Sequence, residues 1–579
     1  MISLTANGAS KYSVILAHGA SQSEQYAASE LVSFIRQVAN ATLPIMTANA
    51  SRHAGRNLIV VGKNSITSEL GLDEEIDSLG DEGFIIKNFG ETIIIAGGRL
   101  RGTLYGVYEF LETYLGCRWY TPDVSNIPVR DKLDLPDEIN IKKTPAFRIR
   151  EAFDMGNFDG DWSARNKVNG HHHRLMSHHG GGVRYVGVHS FERLVSPDKY
   201  FGEHPEYFSE INGTRLKERS QLCLTNPDVL NIAIESVRKT IKDNPECSII
   251  SVSQNDWGNY CTCENCKKID DEEESHMGTV LRFVNAVHDA ITKEYPHISI
   301  DTLAYQYTRK RPKITKPRPG LLIRLCTIEC CFAHPLAECH VDKTEMPSNF
   351  SQDIDEWSKV SRDIYVWDYT TDFANYLMPF ANLNVLKSNL EFFKDHGVIG
   401  LFEEGSPNTS LSYAGELRQY VLAKLMYDLN LDDKILTDEF YSGVFGSAAP
   451  YVKAYYEFWQ EKSLACGEHL FEDDPVTRIY FTRENLDFAR ALLDKAMILA
   501  ANDSVRIRIE KIMLSCDFMD VMHMDKSPEK NEAVDNLLAK CKSMGMSRVT
   551  EWHSYEQSEQ IYKNQGALLP APRPSKTQI

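Results

Sequence analysis

Short apolar runs alternate along this chain with longer stretches in which apolar residues recur at helical spacing. In the first part, Tyr12–Leu16, Asn57–Gly62 and Thr92–Gly97 read as strands, and Glu24–Ile35 carries its apolar side chains on one helical face. The third run enters Gly97-Gly98 and a helix from Thr103 to Tyr114, with Gly102 and Gly106 allowing close packing. Neither the G-x-G-x-x-G spacing nor a Walker lysine accompanies these glycines, so packing rather than phosphate binding is expected. Residues 1–140 therefore predict an α+β domain, closed by a linker rich in Pro and charge from Pro128 to Pro145.

From Phe147 the rhythm changes to that of repeated βα units. Eight strands are predicted: Arg148–Phe153, Tyr185–Ser190, Gln221–Leu224, Ser248–Ser253, Ser299–Ala304, Leu321–Cys326, Ile364–Trp367 and Val398–Phe402. Eight units over roughly 255 residues are the size of a (β/α)8 barrel. After Ser410 the pattern is helical, as in Leu417–Leu429, Tyr451–Lys462 and Leu486–Ala501. The expected class is α/β: an N-terminal α+β domain (1–140), a (β/α)8 TIM-type barrel (146–410) and a C-terminal helical domain (411–579). The proline-rich tail, Leu568–Pro574, cannot be helical.

Composition narrows the partners. At 579 residues the chain is too long for one hydrophobic core, and its formal charge of −18 disfavours a polyanionic partner. The one compact basic cluster, Arg309-Lys310-Arg311-Pro312-Lys313, is too small for a nucleic-acid face. No apolar run reaches the ~18 residues that a membrane-spanning helix needs. Met1–Thr5 lacks the basic-then-apolar pattern of a secretory signal, so the chain is either cytosolic or a mature form with its signal removed, and the exported form, in a periplasm or at a cell surface, is the expectation.

Candidate chemistry lies at the strand ends, where barrel enzymes carry their sites. Asp256, Glu329, Asp368 and Glu403 follow the fourth, sixth, seventh and eighth strands, interleaved with Trp257, Tyr305, Tyr307, Trp367 and Tyr369. Carboxylates can protonate a leaving oxygen and stabilise an oxocarbenium-like centre, while aromatic faces bind sugar rings. Asn255, Arg150 and His189, the last at the end of the second strand, complete the candidate binding residues. Strand alternation sends Glu403 and Glu404 to opposite sides, and Glu404 is given the structural role. The His171–His173 and His178–His179 runs, followed by glycines, read as a mobile loop at the barrel mouth. Cys261, Cys263 and Cys266 form a C-x-C-x-x-C run that could hold a structural metal or a disulfide. A closed zinc site needs a fourth ligand, for which His340, Cys330 and Cys331 are candidates. These cysteines are expected to shape the loop without contacting substrate, and no catalytic metal or cofactor is expected.

Longer motifs carry a resemblance. "GGRLRGTLYGVYEFLETYLGCRWYTP" resembles the non-catalytic domain preceding the barrel in α-glucuronidases and β-hexosaminidases. "HSFERLVSPDKYFGEHPEYFSEINGTR", "LCLTNPDV", "SVSQNDWGNYCTCENC" and "YVWDYTTDF" resemble the former domain-of-unknown-function family 4838, now grouped with glycoside hydrolase family 163. The resemblance implies a retaining endo-β-N-acetylglucosaminidase that cuts the chitobiose core of N-glycans, assisted by the substrate's own acetamido group. Best-known enzymes of that mechanism have two consecutive acids at strand four. This chain has Asn255-Asp256, so a second acid must come from another strand end, with Glu329 the first choice. Two alternatives stand beside it. One is an α-glucuronidase-like inverting enzyme, which would need a basic clamp drawn from Arg150, Arg165 or Arg324; the other is a non-catalytic carbohydrate-binding barrel.

Overall fold

The computed structural model describes residues 1–48 and 57–566, so the proline-rich tail lies outside the described residues. At the N-terminal end, six strands form a mixed sheet in the order 140–143, 84–89, 92–97, 57–61, 12–16, 45–47. Both faces are covered, which explains the unbroken apolar runs: Ile93 and Ile95 join one core, Ile94 and Ala96 another. Helix Gln22–Ala39 begins at a capping box between Ser21 and Glu24, and it packs with helix Gly102–Phe110. A Cβ on Gly102 would stand 2.2 Å from the Gly83 carbonyl oxygen, so these glycines do serve close packing.

The next sheet has seven strands, all parallel: β1 (Ile149–Phe153), β2 (Tyr185–Val186), β3 (Ile249–Ser251), β4 (Ser299–Ala304), β5 (Leu322–Cys326), β6 (Ile364–Tyr369) and β7 (Val398–Glu404). Their order is β1-β7-β6-β5-β4-β3-β2. The sheet is curled. Ile149, Phe153, Ile249, Leu322, Tyr365 and Phe402, from five of its strands, meet in one internal cluster. The Arg324 guanidinium lies within 4.4–4.8 Å of the Tyr185, Tyr365, Trp367 and Phe402 ring centres.

Seven of the eight expected strands are present, and the expected third, Gln221–Leu224, is not one of them. Its backbone is engaged elsewhere: Ser209 N–H donates to Gln221 O, Cys223 N–H donates to Tyr207 O, and Phe208 bridges Leu222. With those groups committed to the neighbouring loop, β2 pairs directly with β3, matching Tyr185 to Ile249. The barrel-like sheet is therefore seven-stranded, with β1 and β2 at its two edges.

Two expectations about the first βα loop change. Three of the histidines are tied to their surroundings: His173 is buried and accepts from Ala152 N–H, His172 meets Glu151 at 2.6 Å, and His179 meets Asp161 at 2.9 Å beside Tyr26 of the N-terminal unit. Arg150 points out of the barrel. It is fully buried, and its guanidinium pairs with Glu82 at 2.8 Å and donates to the Phe147 and Lys167 carbonyls. Glu82 also accepts from Arg101 at 2.7 Å, and the two arginines hold its carboxyl down at about 2 despite burial, which alone would raise it.

Arg150 thus fastens the N-terminal unit to the barrel and is turned away from the barrel interior. Arg150→Ala leaves a buried carboxylate short of one partner, and a loss of about 3–5 kcal/mol in urea unfolding is expected. The KM of the folded fraction should be unchanged. A raised KM without lost stability would return Arg150 to the binding site.

Candidate active site

The cavity sits at the C-terminal ends of the parallel strands, about 490 Å³ in volume. Strand alternation fills it. Trp367 and Tyr369 of β6 point inward with rings nearly parallel, 15° apart at 6.0 Å, and Tyr369 is in register with Glu404 of β7. Asp256, Tyr305, His189, Cys326, Ile328 and Phe373 continue the wall.

Two acids from the C-terminal helical region complete it, Glu472 and Glu551, together with Trp552. They arrive on the irregular segments between helices Ala449–Cys466 and Arg483–Leu499, and between Pro528–Ser543 and Tyr555–Asn564. Phe373 joins both to the barrel: its N–H donates to Glu472 O at 2.6 Å, and its carbonyl accepts from Glu551 N–H at 2.9 Å. Neither acid was expected from the sequence. The available signal was the loss of helical periodicity at "FEDDP" and "TEWHS", where aromatic and acidic residues crowd a non-helical stretch.

Three of these carboxyls, Glu404, Glu472 and Glu551, are raised by burial, each with a neighbouring acid adding to it. Burial, then the charge of Glu551, pushes Glu404 up to about 8, although Trp367 Nε1–H donates to its Oε2 at 2.7 Å. Burial and then Asp473 raise Glu472 to about 7, and burial and then Asp256 raise Glu551 to about 6. Asp256 is the exposed member. Its Oδ1 accepts from the Tyr305 hydroxyl at 2.9 Å, and that hydroxyl oxygen accepts in turn from Gln306 Nε2 at 3.0 Å.

His189 Nδ1 lies 2.9 Å from Gln254 O, a group that can only accept, so Nδ1 carries the proton and Nε2 offers a lone pair. His189 and Gln306 both line the cavity and both have left-handed backbones, φ 52° and 51°. Such conformations are unfavourable for side-chain-bearing residues and collect at functional sites.

Of the expected site residues, Asp256, His189, Tyr305, Trp367 and Tyr369 line this cavity; the others are elsewhere. Glu329 does not line it. Its carboxylate faces Arg309 at 3.1 Å, in a buried cluster that also holds Asp342 and Asp353. Asp368 and Glu403 are register partners on the outer face of β6 and β7, the face of buried Val366 and Leu401. Asp368 accepts from Thr327 Oγ1 at 2.5 Å. Glu403 and Glu404 do lie on opposite faces, but with the roles reversed: Glu404 enters the cavity. Asn255 is buried and ties loops together, accepting from Glu192 N–H and donating to Ser220 O. Trp257 donates to Ser220 O, and the Tyr307 ring lies tilted against Tyr260 at 5.0 Å. Arg165 pairs with Glu30, and neither it, Arg150 nor Arg324 lines the cavity.

The three cysteines behind Asp256 have a fourth partner, Cys223, and the four ligand atoms lie within 4.8 Å of one another. The expected fourth ligands are elsewhere: His340 is exposed, and Cys330 and Cys331 follow β5. A second group of this type, Cys331, His334, Cys339 and His469, lies between the loop after β5 and the C-terminal region.

Residues 119–457, more than half of the chain, match the family model described as Domain of unknown function (DUF4838). The chain belongs to the DUF4838 family. Residues 3–110 match the glycosyl hydrolase family 67 N-terminus, which relates this DUF4838 protein to glycoside hydrolases. No curated protein matches it. Among solved structures, a 4-O-methyl-α-glucuronidase of family GH115, BtGH115A, with specificity for decorated arabinogalactans, aligns over 100% of this chain and 82% of its own at 12% identity, with a TM-score of 0.58. CpGH84B aligns over 95% and 96% at 12% identity, TM-score 0.47. A GH138 enzyme targeting pectin rhamnogalacturonan II aligns over 95% and 78% at 10% identity, TM-score 0.44. At these identities the likeness to BtGH115A is one of fold.

The outer-face pair gives a test independent of activity. Burial, then Asp368, raises Glu403 well above the ordinary carboxyl range, and burial raises Asp368 to about 6. A carboxyl raised on folding binds its proton more tightly in the folded state. Its stabilising contribution is therefore full below the unfolded value and fades as pH rises through the folded one. Glu403→Gln should gain melting temperature relative to the parent at pH 8 compared with pH 5. An unchanged difference across that range would contradict the placement.

Proposed function

We propose that this DUF4838 protein is a retaining β-N-acetylglucosaminidase, acting within the chitobiose core of N-glycans through the substrate's own acetamido group. The observation that carries the glycosidase reading is Glu404, a carboxyl kept largely protonated at neutral pH in an aromatic-walled cavity that Asp256 also enters. A protonated carboxyl can protonate a leaving oxygen, and raised acids of this kind mark general-acid sites. We assign the acid to Glu404 in place of Glu329, because Glu329 is turned toward Arg309.

In this scheme the acetamide N–H donates to Asp256, which Tyr305 holds in place, and the acetamide oxygen closes on the anomeric carbon as the glycosidic bond breaks. The leaving oxygen takes the Glu404 proton. Glu404, now a carboxylate, removes a proton from the water that opens the oxazolinium ion, and the free sugar leaves with retained configuration. Among the described residues, the wall contains no lysine or arginine. A uronic acid would face four acidic side chains, and the lysine beside them, Lys343, is already paired with Glu472 and Asp473, which favours an N-acetylhexosamine over the glucuronidase alternative. The half-exposed Trp552 puts an aromatic face on the open side of the cavity wall, which suits an endo-acting enzyme with sugars on both sides of the cut. The grouping with glycoside hydrolase family 163, suggested by the barrel motifs, is part of this reading.

Release of glycans from N-glycoproteins, set beside hydrolysis of aryl N-acetylglucosaminides and aryl glucuronides, tests the activity. Turnover of glucuronides alone would overturn the substrate class, and glycan binding without turnover would favour the carbohydrate-binding barrel. Glu404→Gln should slow substrates with poor leaving groups by about 10²- to 10⁴-fold, and slow a dinitrophenyl glycoside far less, because that leaving group needs no proton. Equal losses on both would remove Glu404 from the acid role. The parent's rate on poor leaving groups should fall on the alkaline side near pH 8, where Glu404 loses its proton. For the acetamido step, a thiazoline mimic of the oxazolinium ion should inhibit strongly. A fluorosugar trapped covalently on Asp256 or Glu404 would refute substrate assistance and leave the glycosidase reading standing.

A further inference from the structure

Neither four-residue group named above takes part in the proposed chemistry, yet each has the donors and spacing of a closed metal site. Zinc in tetrahedral coordination holds sulfur at about 2.3 Å and nitrogen at about 2.0–2.1 Å, which separates two sulfurs by about 3.8 Å and a sulfur from a nitrogen by about 3.5 Å. In the first group Cys223 Sγ lies 3.7 Å from Cys263 Sγ and 3.9 Å from Cys266 Sγ. In the second, Cys331 Sγ lies 3.3 Å from His334 Nδ1, and Cys339 Sγ lies 3.6 Å from His469 Nδ1. The cysteines of both groups are free thiols.

We propose that this chain carries two structural zinc ions: one held by Cys223, Cys261, Cys263 and Cys266, the other by Cys331, His334, Cys339 and His469. Thiolate and imidazole are the ligands zinc prefers, and sulfurs this close leave room for a single ion rather than a cluster. Each site also has surroundings suited to it. At the four-thiolate site, Glu210 N–H donates to Cys261 Sγ at 3.3 Å, the Thr225 hydroxyl meets Cys266 Sγ at 3.3 Å, and Arg215 Nη1 lies 3.7 Å from Cys261 Sγ. Those donors and that cation offset the negative charge of four thiolates on one divalent ion. At the mixed site only Cys331 is fully buried, so the ion has a way in from solvent.

The two ions do different work. The four-thiolate site joins Cys223, in the segment that fails to become a barrel strand, to the loop that follows Asp256. The mixed site joins the loop after β5 to His469, three residues before Glu472 in the cavity wall, alongside a backbone bond from Phe332 N–H to Leu470 O at 2.9 Å. The second ion is a clamp between the barrel and its C-terminal cover. Both sites stand on their own geometry and hold whether or not the proposed glycosidase reaction is correct.

Elemental analysis of the full-length chain, purified tag-free and without chelator, should find about two zinc ions per chain. Cys263→Ser and His469→Ala should each lose one ion and keep the other. Retention of both ions by one variant overturns that variant's site, and zinc-free protein that takes up none from added zinc sulfate overturns both. Should a variant fail to fold, a mercurial thiol reagent added to the parent, with a colorimetric chelator following release, gives the same count. A Cys331–Cys339 disulfide in unreduced peptide maps would overturn the mixed site, as one among Cys223, Cys261, Cys263 and Cys266 would the other. The clamp has its own readout: trypsin should cut at Arg478 or Arg483 several-fold faster in His469→Ala than in the parent. Equal cutting rates would leave the zinc site without the clamping role.

Discussion

The two-residue period of the sixth and seventh strands is the constraint on which the site depends. Side chains in a strand alternate between its faces, so the strand that sends Trp367 and Tyr369 into the barrel must send Asp368 out. The in-register neighbour then sends Phe402 and Glu404 in and Glu403 out. A shift of one residue would exchange every one of these groups. It would replace an aromatic wall bearing one acid with the bare pair Asp368 and Glu403, and would turn Trp367 and Tyr369 against the helices.

Electrostatics follows from that packing. Glu404 shares its space with Glu472, Glu551 and Asp256, and burial together with the charge of Glu551 raises it; Glu472 is raised by burial too, although Lys343 pairs with it at 3.1 Å. Glu82 shows the opposite balance, whereas Glu329 and Asp353, which share the single buried Arg309, are still raised by burial. Glu82, between Arg101 and Arg150, is held near 2 in an equally buried position. Burial is common to all of them; Glu82 has two arginines to itself, while Glu329 and Asp353 divide one. The direction in which each acid moves is thus set by burial and by how many cations the neighbouring elements bring to it.

The C-terminal helices have a larger part than their amphipathic pattern suggests. They extend the core of the barrel's outer layer and also deliver Glu472, Glu551 and Trp552 to the cavity through two breaks in helix, both held by the backbone of Phe373. A helical region read as an appendage is therefore one wall of the site.

Much of the architecture follows from local pattern. Unbroken apolar runs such as Ile93–Ala96 need cover on both faces wherever they lie, so three of the six strands of the N-terminal sheet were legible. The βα rhythm made the seven parallel strands legible, and the helical C-terminal region was legible as well. Asp256 was legible for the same reason, being the first acid after a buried strand. Gln221–Leu224 was not, because its backbone bonds go to a loop that only the folded chain brings beside it. Glu403 and Glu404 show the limit most sharply: alternation dictates that they part, but which of them faces inward depends on where the strand lies against its neighbours and the helix layer. The sequence by itself determined the strands, the helices and the supply of acids, since those depend on local periodicity. Tertiary structure alone decided which acids share a cavity and which cysteines and histidines meet, because those depend on contacts between segments as far apart as Asp256 and Glu551, or Cys331 and His469.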